Sequence, residues 1–339
     1  MKQQVNKVFI AGGTGFIGYH TALKFLSMGI KVDSIALPNE IDLQGWYPKE
    51  VNLKFGNLFT MTESDLKNLF SQDNYDTFVY ALGPDDRYVP AAPAYAFFHE
   101  KLVIDCLRIV SIAKASGFKR CIVLNSYYST FDRKINNRLS RIHPYIRARR
   151  EQETALLNLG LDGSFEIMMM ELPFIFGIMP LRKPLWKDFF LSHFDQNKQI
   201  YFPSGGGTAV IDVSGVAEAI VAAAHNGENG RCYPVGNINI TYNDLINRMM
   251  KAKGDKRRFF GLPGFICYFG GLAIDLKFRK LGKESGLNHA RLMTQILNKC
   301  FYIDPKSISL ELGYSEFGFL GGLDPLESID KTIKSCYSE

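Results

Sequence analysis

The residues with the clearest chemistry are three glycines spaced three apart, Gly12, Gly15 and Gly18, after a short apolar run near the start of the chain. The first glycine permits a tight turn, the second lets the main chain approach a diphosphate, and the third allows a helix to pack closely. The free amide groups and positive end of that helix then hold the phosphates. The spacing predicts a dinucleotide site that includes Phe16 and Ile17 of the first helical turn.

The elements around this loop must be a strand before it and a helix after it, and the sequence has that pattern. Apolar runs alternate with helical patterns through the first half of the chain, which is typical of a parallel sheet covered on both faces. The sequence therefore predicts an α/β fold with a doubly wound parallel-sheet Rossmann domain. Its strands are predicted at 7–11, 31–37, 53–55, 77–82, 120–124 and 166–172, and its helices at 15–28, 64–70, 94–116 and 145–159.

The pattern changes after about residue 175, where glycine, proline and aromatic residues become dense. We expect a smaller mixed C-terminal lobe that selects the substrate. The predicted division gives 1–175, joined by 208–236, to the Rossmann domain and gives 176–207 and 237–339 to the lobe. A set of aromatic residues is expected either to line the substrate pocket or to pack in the core: Phe174, Phe176, Trp186, Phe189 and Phe190.

Composition narrows the class of protein. With 46% apolar and 22% charged residues in a chain of 339, the sequence is that of a globular protein with a full core. The six cysteines have neither CxxC nor Cys/His metal spacing, which argues against a zinc module or a disulfide scaffold. A net charge of +6 does not indicate nucleic-acid binding.

Here the chain resembles the extended short-chain dehydrogenase/reductases, which include sugar-nucleotide epimerases, dehydratases and dihydroflavonol reductases. The likeness extends beyond the glycine loop. Residues 56–58 (GNL) are similar to the family's Gly-Asp-Leu, 80–83 (YALG) to its Leu-Ala-Gly strand end, and 116–126 to its Ala-Gly-Val-Lys-Arg…Ser-Ser strand. The end of the chain, with Asp304, Lys306 and 311–313 (ELG), looks like the family's closing motif.

The resemblance implies a reactive tyrosine four residues before a lysine on one helix, with a serine at the end of a preceding strand. In this chain the matching residues are Tyr145, Arg149 and Ser126. A cation is needed because a free tyrosine has a pKa of about 10, and residues four apart share a helix face. Arginine keeps the charge but cannot lose a proton to a relay. Because only 19 residues separate Ser126 from Tyr145, the alternatives Tyr127, Tyr128 and Ser129 stay open for the strand-end hydroxyl.

The resemblance also assigns cofactor contacts along the chain. These are Gly12, Gly15, Phe16, Ile17, Gly18, Asn57, Leu58, Ala81, Leu82, Gly83, Tyr145, Arg149 and Pro173. NAD-dependent members carry an acid at the end of the second strand, whereas this chain continues Ala36, Leu37, Pro38 and Asn39. Without a carboxylate to repel a 2′-phosphate, the sequence favours NADP, with NAD as the alternative.

Three further features have a structural and a functional interpretation. The basic residues between 133 and 150 are expected to form a solvated face, although they could hold a phosphorylated substrate. The apolar stretch 259–276 contains Pro263 and four glycines and predicts a buried or groove-lining helix rather than a membrane span. Among the histidines, which lack metal-ligand spacing, His143 alone is near the predicted chemistry.

The sequence thus predicts an NAD(P)-dependent oxidoreductase that acts on a small carbonyl or alcohol compound, with Tyr145 as proton donor or acceptor. A nucleotide-sugar epimerase or dehydratase is the first alternative; the segment after Gly207 lacks the arginine that holds a nucleotide diphosphate in such enzymes. A silent NAD(P)-binding sensor or scaffold is the second. The resemblance implies a homodimer built on helices 94–116 and 145–159. We expect no metal, nucleic-acid or membrane partner, and the short stretch before the loop predicts a cytoplasmic protein.

Overall fold

A seven-stranded parallel sheet forms the centre of the computed structural model, which describes residues 4–38, 43, 45–195, 198–257, 259–314 and 324–338. The described strands are β1 (Lys7–Ala11), β2 (Lys31–Ala36), β3 (Asn52–Phe55), β4 (Thr77–Tyr80), β5 (Arg120–Ser126), β6 (Glu166–Leu172), β7 (Phe174–Phe176), β8 (Ile200–Pro203), β9 (Gly207–Asp212), β10 (Cys232–Pro234), β11 (Ile238–Thr241), β12 (Phe259–Leu262) and β13 (Cys300–Phe301). The central sheet has the order β10-β6-β5-β4-β1-β2-β3, and every neighbouring pair in it is parallel.

Helices connect and cover these strands. They are α1 (Phe16–Ser27), α2 (Glu63–Phe70), α3 (Ala94–His99), α4 (Asp105–Ala115), α5 (Tyr128–Lys134), α6 (Pro144–Leu159), α7 (Ser192–Asp195), α8 (Val213–Asn226), α9 (Tyr242–Lys253), α10 (Gly264–Lys280), α11 (His289–Gln295), α12 (Pro305–Leu312) and α13 (Pro325–Tyr337). Two π-helical stretches, Glu100–Ile104 and Lys187–Leu191, lie beside α3 and α7. The first joins α3 to α4, so the helix predicted over 94–116 is present with a change of winding in its middle.

Alternating side chains of β1 supply the two faces of the central sheet. Val8 and Ile10 pack in a core with residues of α1 and α8, whereas Phe9 and Ala11 pack in a separate core with residues of α2 and α4. Successive side chains of a strand point to opposite faces, so a wholly apolar β1 requires cover on both sides. The predicted doubly wound α/β fold is therefore confirmed.

A smaller mixed sheet lies in the second lobe, with the order β11-β9-β13 and with β7 also paired to β9. Strands β8 and β12 form a separate parallel pair. The segment predicted to return to the Rossmann domain is divided between sheets, because β10 joins the central sheet while β9 joins the smaller one. The domain boundaries given above stay a prediction.

Helix α10 differs from its expectation. The expectation of a buried helix is wrong, since only Gly264 and Gly271 among its 17 residues are buried and several large apolar side chains lie at the surface. The groove-lining alternative stays a prediction. Gly264 and Gly271 face the protein, whereas Phe265 and Phe269 face outward, and a hydropathy pattern does not show which residues of an apolar helix are covered. In the part of the chain that is described, no helix has the length and apolar character required to cross a membrane.

Candidate active site

The glycine loop joins β1 to α1 and is closely packed. Gly12 has a φ of +95°, and a Cβ there would lie 2.7 Å from the main-chain oxygen of Ala81. A Cβ on Gly18 would lie 2.2 Å from the Gly12 oxygen. Both positions therefore require glycine. The close contact of Gly18 is with the turn itself.

The amino end of α1 has the features that bind a diphosphate. Its N-cap is Gly15, and no described side chain caps the helix. The amide groups of the first turn are thus left for another acceptor, and the helix dipole favours an anion there. A Cβ on Gly15 would meet only the Gly12 oxygen, at 3.1 Å, so the space above it is open. These observations fit the pyrophosphate of a dinucleotide.

A cavity of about 520 Å³ extends from this loop along the carboxyl ends of β1, β4, β5 and β6. Eleven of the predicted site residues line it: Gly15, Phe16, Ile17, Gly18, Ala81, Leu82, Gly83, Ser126, Tyr145, Arg149 and Pro173. Gly12 is not a lining residue, but its positive φ forms the turn of the loop. Asn57 and Leu58 are not among the lining residues; the Asn57 side chain accepts a hydrogen bond from the Phe59 amide at 3.0 Å, and Leu58 is buried in the core. Their predicted contacts with the cofactor stay predictions.

Tyr145 and Arg149 are brought together as the spacing predicts. The Arg149 Nε donates a hydrogen bond to the Tyr145 hydroxyl at 3.0 Å, and Arg149 Nη1 donates to the Leu124 carbonyl at 3.1 Å. The main-chain amide of Tyr145, near the start of α6, donates to the Gly286 carbonyl at 2.9 Å. The ring packs edge-on against Phe98. The main chain, the ring and the hydroxyl of Tyr145 are thus each held by a different residue.

Burial and the charge of Arg149 shift the pKa of Tyr145 in opposite directions. Burial raises the pKa of the Tyr145 hydroxyl, and the Arg149 guanidinium offsets only part of that rise. The sequence analysis expected the cation to lower the tyrosine pKa; its effect has that sign, but the net pKa lies above the ordinary value. Without a bound ligand, Tyr145 therefore holds its proton at neutral pH.

Ser126 ends β5 beside this pair. Its hydroxyl accepts a long hydrogen bond from the Tyr128 amide at 3.3 Å, and its amide donates to the Asn125 side chain at 2.6 Å. Asn125 also donates to the Arg149 carbonyl at 3.2 Å, which ties the end of β5 to α6. Tyr127 and Tyr128 line the same cavity, although the Tyr127 hydroxyl is already bonded to Thr208.

Three charged residues after β4 were missed by the sequence analysis. Asp85, Asp86 and Arg87 line the cavity, directly after the strand end whose motif was recognised. Burial would raise the pKa of Asp85, but hydrogen bonds from Arg87 and its charge hold that pKa below the usual value. Burial, together with the neighbouring Asp85, raises the pKa of Asp86 to about 6. The position of these residues at the carboxyl end of a central strand was the signal available in the sequence.

The raised pKa of Asp86 predicts a pH-dependent effect on stability. An unfolded aspartate has a pKa of about 3.9, so between that value and about 6 the folded chain keeps a proton that the unfolded chain has lost. Raising the pH through this window therefore lowers the free energy of unfolding. We expect Asp86→Asn to be more stable than the parent at about pH 8, by up to about 3 kcal/mol, and equal to it below about pH 3.

Chemical denaturation of parent and variant across this pH range measures the difference. Asp188→Asn, which changes an exposed carboxylate outside the cavity, is the matched control and should show no such trend. A stability difference for Asp86→Asn that is constant with pH would contradict the assignment.

Aromatic and basic side chains form the far wall of the cavity. Three of the five aromatic residues named from the sequence, Phe174, Trp186 and Phe189, line it, and the other two are not lining residues. The Trp186 indole donates to the Ile175 carbonyl at 3.0 Å and stacks on Phe176. The wall also contains three cations, Arg87, Arg182 and Lys183. Such a surface suits an apolar or planar ligand that carries negative charge.

The basic stretch between 133 and 150 is not the uniformly solvated face that the sequence predicts. Arg133 bonds Glu153 at 2.6 Å and the fully buried Glu171 at 2.7 Å. Arg150 bonds the other oxygen of Glu153. The exposed members are Lys134, Arg138, Arg141 and Arg147.

Ligand atoms of Glu153, Glu171 and Cys232 lie within 4.8 Å of one another, which is close enough for a metal ion. The guanidinium groups of Arg133 and Arg150 already supply the compensating positive charge at the two carboxylates. We therefore assign no metal to this cluster.

His143 is fully buried and is not a lining residue of the cavity. Its Nδ1 accepts a hydrogen bond from the Asn288 amide at 3.1 Å, and burial lowers the pKa of the imidazole to about 4. These contacts give the histidine a packing role.

Comparisons with known proteins agree with this geometry. The family model described as NAD dependent epimerase/dehydratase family matches residues 8–239. Among solved structures, UDP-glucose 4-epimerase from Bifidobacterium longum in complex with NAD+ and UDP has a TM-score of 0.64 at 16% identity, covering 98% of each chain. The NAD dependent NDP-hexosamine 5,6-dehydratase TunA has a TM-score of 0.64 at 13% identity, covering 97% of each chain. The structure of gox2253 has a TM-score of 0.70 at 18% identity, covering 91% of this chain and 93% of that one. A comparison with curated proteins finds no match.

Proposed function

Because the chain belongs to the NAD dependent epimerase/dehydratase family, we propose that it is an enzyme that moves a hydride at an alcohol or carbonyl carbon of a small molecule. Membership in this family also confirms the resemblance to extended short-chain dehydrogenase/reductases. The observation that carries the proposal is the hydrogen bond between Arg149 and the Tyr145 hydroxyl, in a cavity that also contains the first turn of α1.

A bound nicotinamide dinucleotide would supply the hydride acceptor or donor. We assign its diphosphate to the first turn of α1 and its nicotinamide half to the cavity wall that contains Ala81, Leu82, Gly83 and Pro173. This side of the site is preorganised, because the amide groups of α1 are fixed by the helix.

Tyr145 exchanges the hydroxyl proton of the substrate in this proposal. In the alcohol-oxidising direction its phenolate accepts that proton, and in the reducing direction its hydroxyl donates one. Arg149 stabilises the phenolate through charge and through its Nε–H bond, and Ser126 is assigned to hydrogen-bond the substrate oxygen. Because arginine cannot release a proton, Tyr145 must exchange its proton with substrate or water rather than through Arg149.

The residues at the end of β2 bear on the choice between NAD and NADP. Within the described segment 31–38 the acid of β2 is Asp33, which is buried and paired to Lys7 at 2.9 Å, and Leu37 after the strand is exposed. The position of Asn39 lies outside the described residues. The absence of a carboxylate at this strand end, within 31–38, supports acceptance of NADP beside the NAD that the family uses.

A nucleotide-sugar epimerase or dehydratase is the second candidate. Two cations of the far wall, Arg182 and Lys183, could neutralise a nucleotide diphosphate, whereas Arg87 is paired with Asp85. Similar folds include UDP-glucose 4-epimerase and an NDP-hexosamine dehydratase. In an epimerase the hydride returns to the same substrate, so the dinucleotide must stay bound through the cycle.

The fate of the cofactor distinguishes these functions. The purified protein is titrated with NADH, NADPH, UDP and candidate carbonyl compounds by thermal shift, since ligands of the folded state raise its stability. A reductase should then oxidise added NAD(P)H in proportion to substrate, whereas an epimerase should retain bound NAD and use none from solution. Binding without turnover of any compound would support the sensor, and no dinucleotide binding would overturn the proposal.

We further propose the homodimer through α3, α4 and α6 and the cytoplasmic location that the sequence predicts. Exposed side chains such as Ile104, on the π-helical stretch between α3 and α4, are available for such contact. Sedimentation velocity of the purified chain tests the dimer.

A further inference from the structure

The outer face of α10 is apolar, and no other part of the described chain covers it. Phe265 and Phe269 are 68% and 67% exposed, and Leu276 is 47% exposed. Positions 265, 269, 273, 276 and 280 are spaced four, four, three and four apart, which places them on one face of the helix. Phenylalanine is usually buried, and a contiguous exposed patch of this kind indicates an interaction surface.

The inner face of the same helix is firmly held. A Cβ on Gly271 would lie 2.5 Å from the His289 carbonyl, so this glycine allows α10 to pack closely on the start of α11. Asp275 accepts hydrogen bonds from the His289 amide, the His289 ring and the Ala290 amide at 2.8–3.0 Å. The exposed face is therefore presented by a fixed helix rather than by a loosely packed one.

The charge around this face is positive. The segment 259–299 has basic residues at 277, 279, 280, 283, 291 and 299, and its acidic residues are Asp275 and Glu284. Both acids have partners within the protein, since Asp275 accepts hydrogen bonds from the first two amides of α11 and Glu284 accepts one from the Ala94 amide at 2.7 Å. The surface beside the apolar face is thus complementary to an anionic one.

We propose that the outer face of α10 attaches this protein to the surface of an anionic lipid bilayer. Phe265, Phe269 and Leu276 enter the boundary between headgroups and acyl chains, and Lys277 and Lys280 contact the anionic headgroups. Exposed aromatic side chains with flanking cations are the pattern of helices that lie in the membrane interface. This proposal replaces the expectation of no membrane partner and does not depend on the reaction catalysed.

A second copy of the chain fits this face less well. In a two-fold contact between antiparallel helices, Lys280 of each copy would lie against the apolar end of the other helix. It would lose water there without gaining a carboxylate, because both acids of the segment are engaged. At a bilayer the same lysine extends its ammonium group to the lipid phosphates.

Flotation of the full-length protein with vesicles tests the proposal. One set is pure phosphatidylcholine and the other contains about one third phosphatidylserine. We expect binding to the anionic vesicles that weakens with added salt. The double variants Phe265→Ser/Phe269→Ser and Lys277→Gln/Lys280→Gln should each reduce that binding about tenfold or more.

The matched control is Leu161→Ser/Leu310→Ser, which removes two exposed leucines outside α10 and should bind as the parent does. All variants change exposed residues, and thermal unfolding checks that they fold. No binding of the parent to anionic vesicles would overturn the proposal. A change in sedimentation coefficient of Phe265→Ser/Phe269→Ser without lipid would also overturn it, by assigning the face to a second copy.

Discussion

Tyr145→Phe is expected to lower turnover by about 10²- to 10⁴-fold while leaving the affinity for reduced dinucleotide within about twofold of the parent. The substitution removes the hydroxyl that Arg149 contacts at 3.0 Å and leaves the ring, which packs against Phe98, in place. The loss should fall on kcat, because the proton is exchanged in the transition state rather than on binding.

Steady-state kinetics with the substrate identified by thermal shift, together with fluorescence titration of NADH or NADPH, measures both quantities. The matched control is Tyr233→Phe on β10, whose hydroxyl accepts a hydrogen bond from the Glu228 amide at 2.9 Å and which is not a lining residue of the cavity. It should retain turnover. Parental activity in Tyr145→Phe would exclude the proposed mechanism.

Arg149→Met is expected to lower turnover by about 10- to 100-fold near neutral pH and to move the pH dependence of alcohol oxidation to higher pH. Burial already raises the pKa of Tyr145, and the guanidinium is the group that opposes this rise. Removing the cation leaves burial unopposed, so the phenolate forms only at a more alkaline pH. The rise of kcat with pH therefore shifts upward.

Arg149→Lys tests the effect of the positive charge at position 149 separately from the effect of the guanidinium shape. Lysine keeps the cation but cannot bond Tyr145, the Leu124 carbonyl and the Gln152 side chain together, as the guanidinium does. We expect a smaller alkaline shift than in the methionine variant and a lower thermal stability than the parent. The pH profiles of both variants and their unfolding temperatures measure these effects. An unchanged pH profile in Arg149→Met would show that the cation does not act on the tyrosine.

The segment after α10 links the proposed membrane-binding helix to the proposed active site. The segment that follows α10 contacts the catalytic helix directly, since the Gly286 carbonyl accepts the amide hydrogen of Tyr145 and a Cβ on Gly286 would lie 2.9 Å from that of Tyr145. The two proposals can nevertheless be tested independently. Flotation measures binding of the α10 face to vesicles, and the kinetics of the Tyr145 and Arg149 variants measure the proposed catalytic step.

Features that depend on local spacing could be predicted without the structure. Gly12, Gly15 and Gly18 identify the loop because each position has its own steric requirement, and the i, i+4 spacing brings Tyr145 and Arg149 to one helix face. The alternation of strands and helices likewise predicts the doubly wound sheet. These inferences need only neighbours along the chain.

Features that depend on contacts between residues distant in sequence could not be predicted from local patterns. Burial in the cavity and the neighbouring Asp85 raise the pKa of Asp86 to about 6, and the cavity is formed by segments that are distant in the sequence. Arg133 on α5 turns inward because Glu153 of α6 and Glu171 of β6 lie opposite it, and Arg150 bonds the same Glu153 within α6. Gly271 packs against the start of α11, and Phe265 and Phe269 on the other side of α10 are left exposed. Hydropathy measures how apolar a helix is but does not show which face is covered.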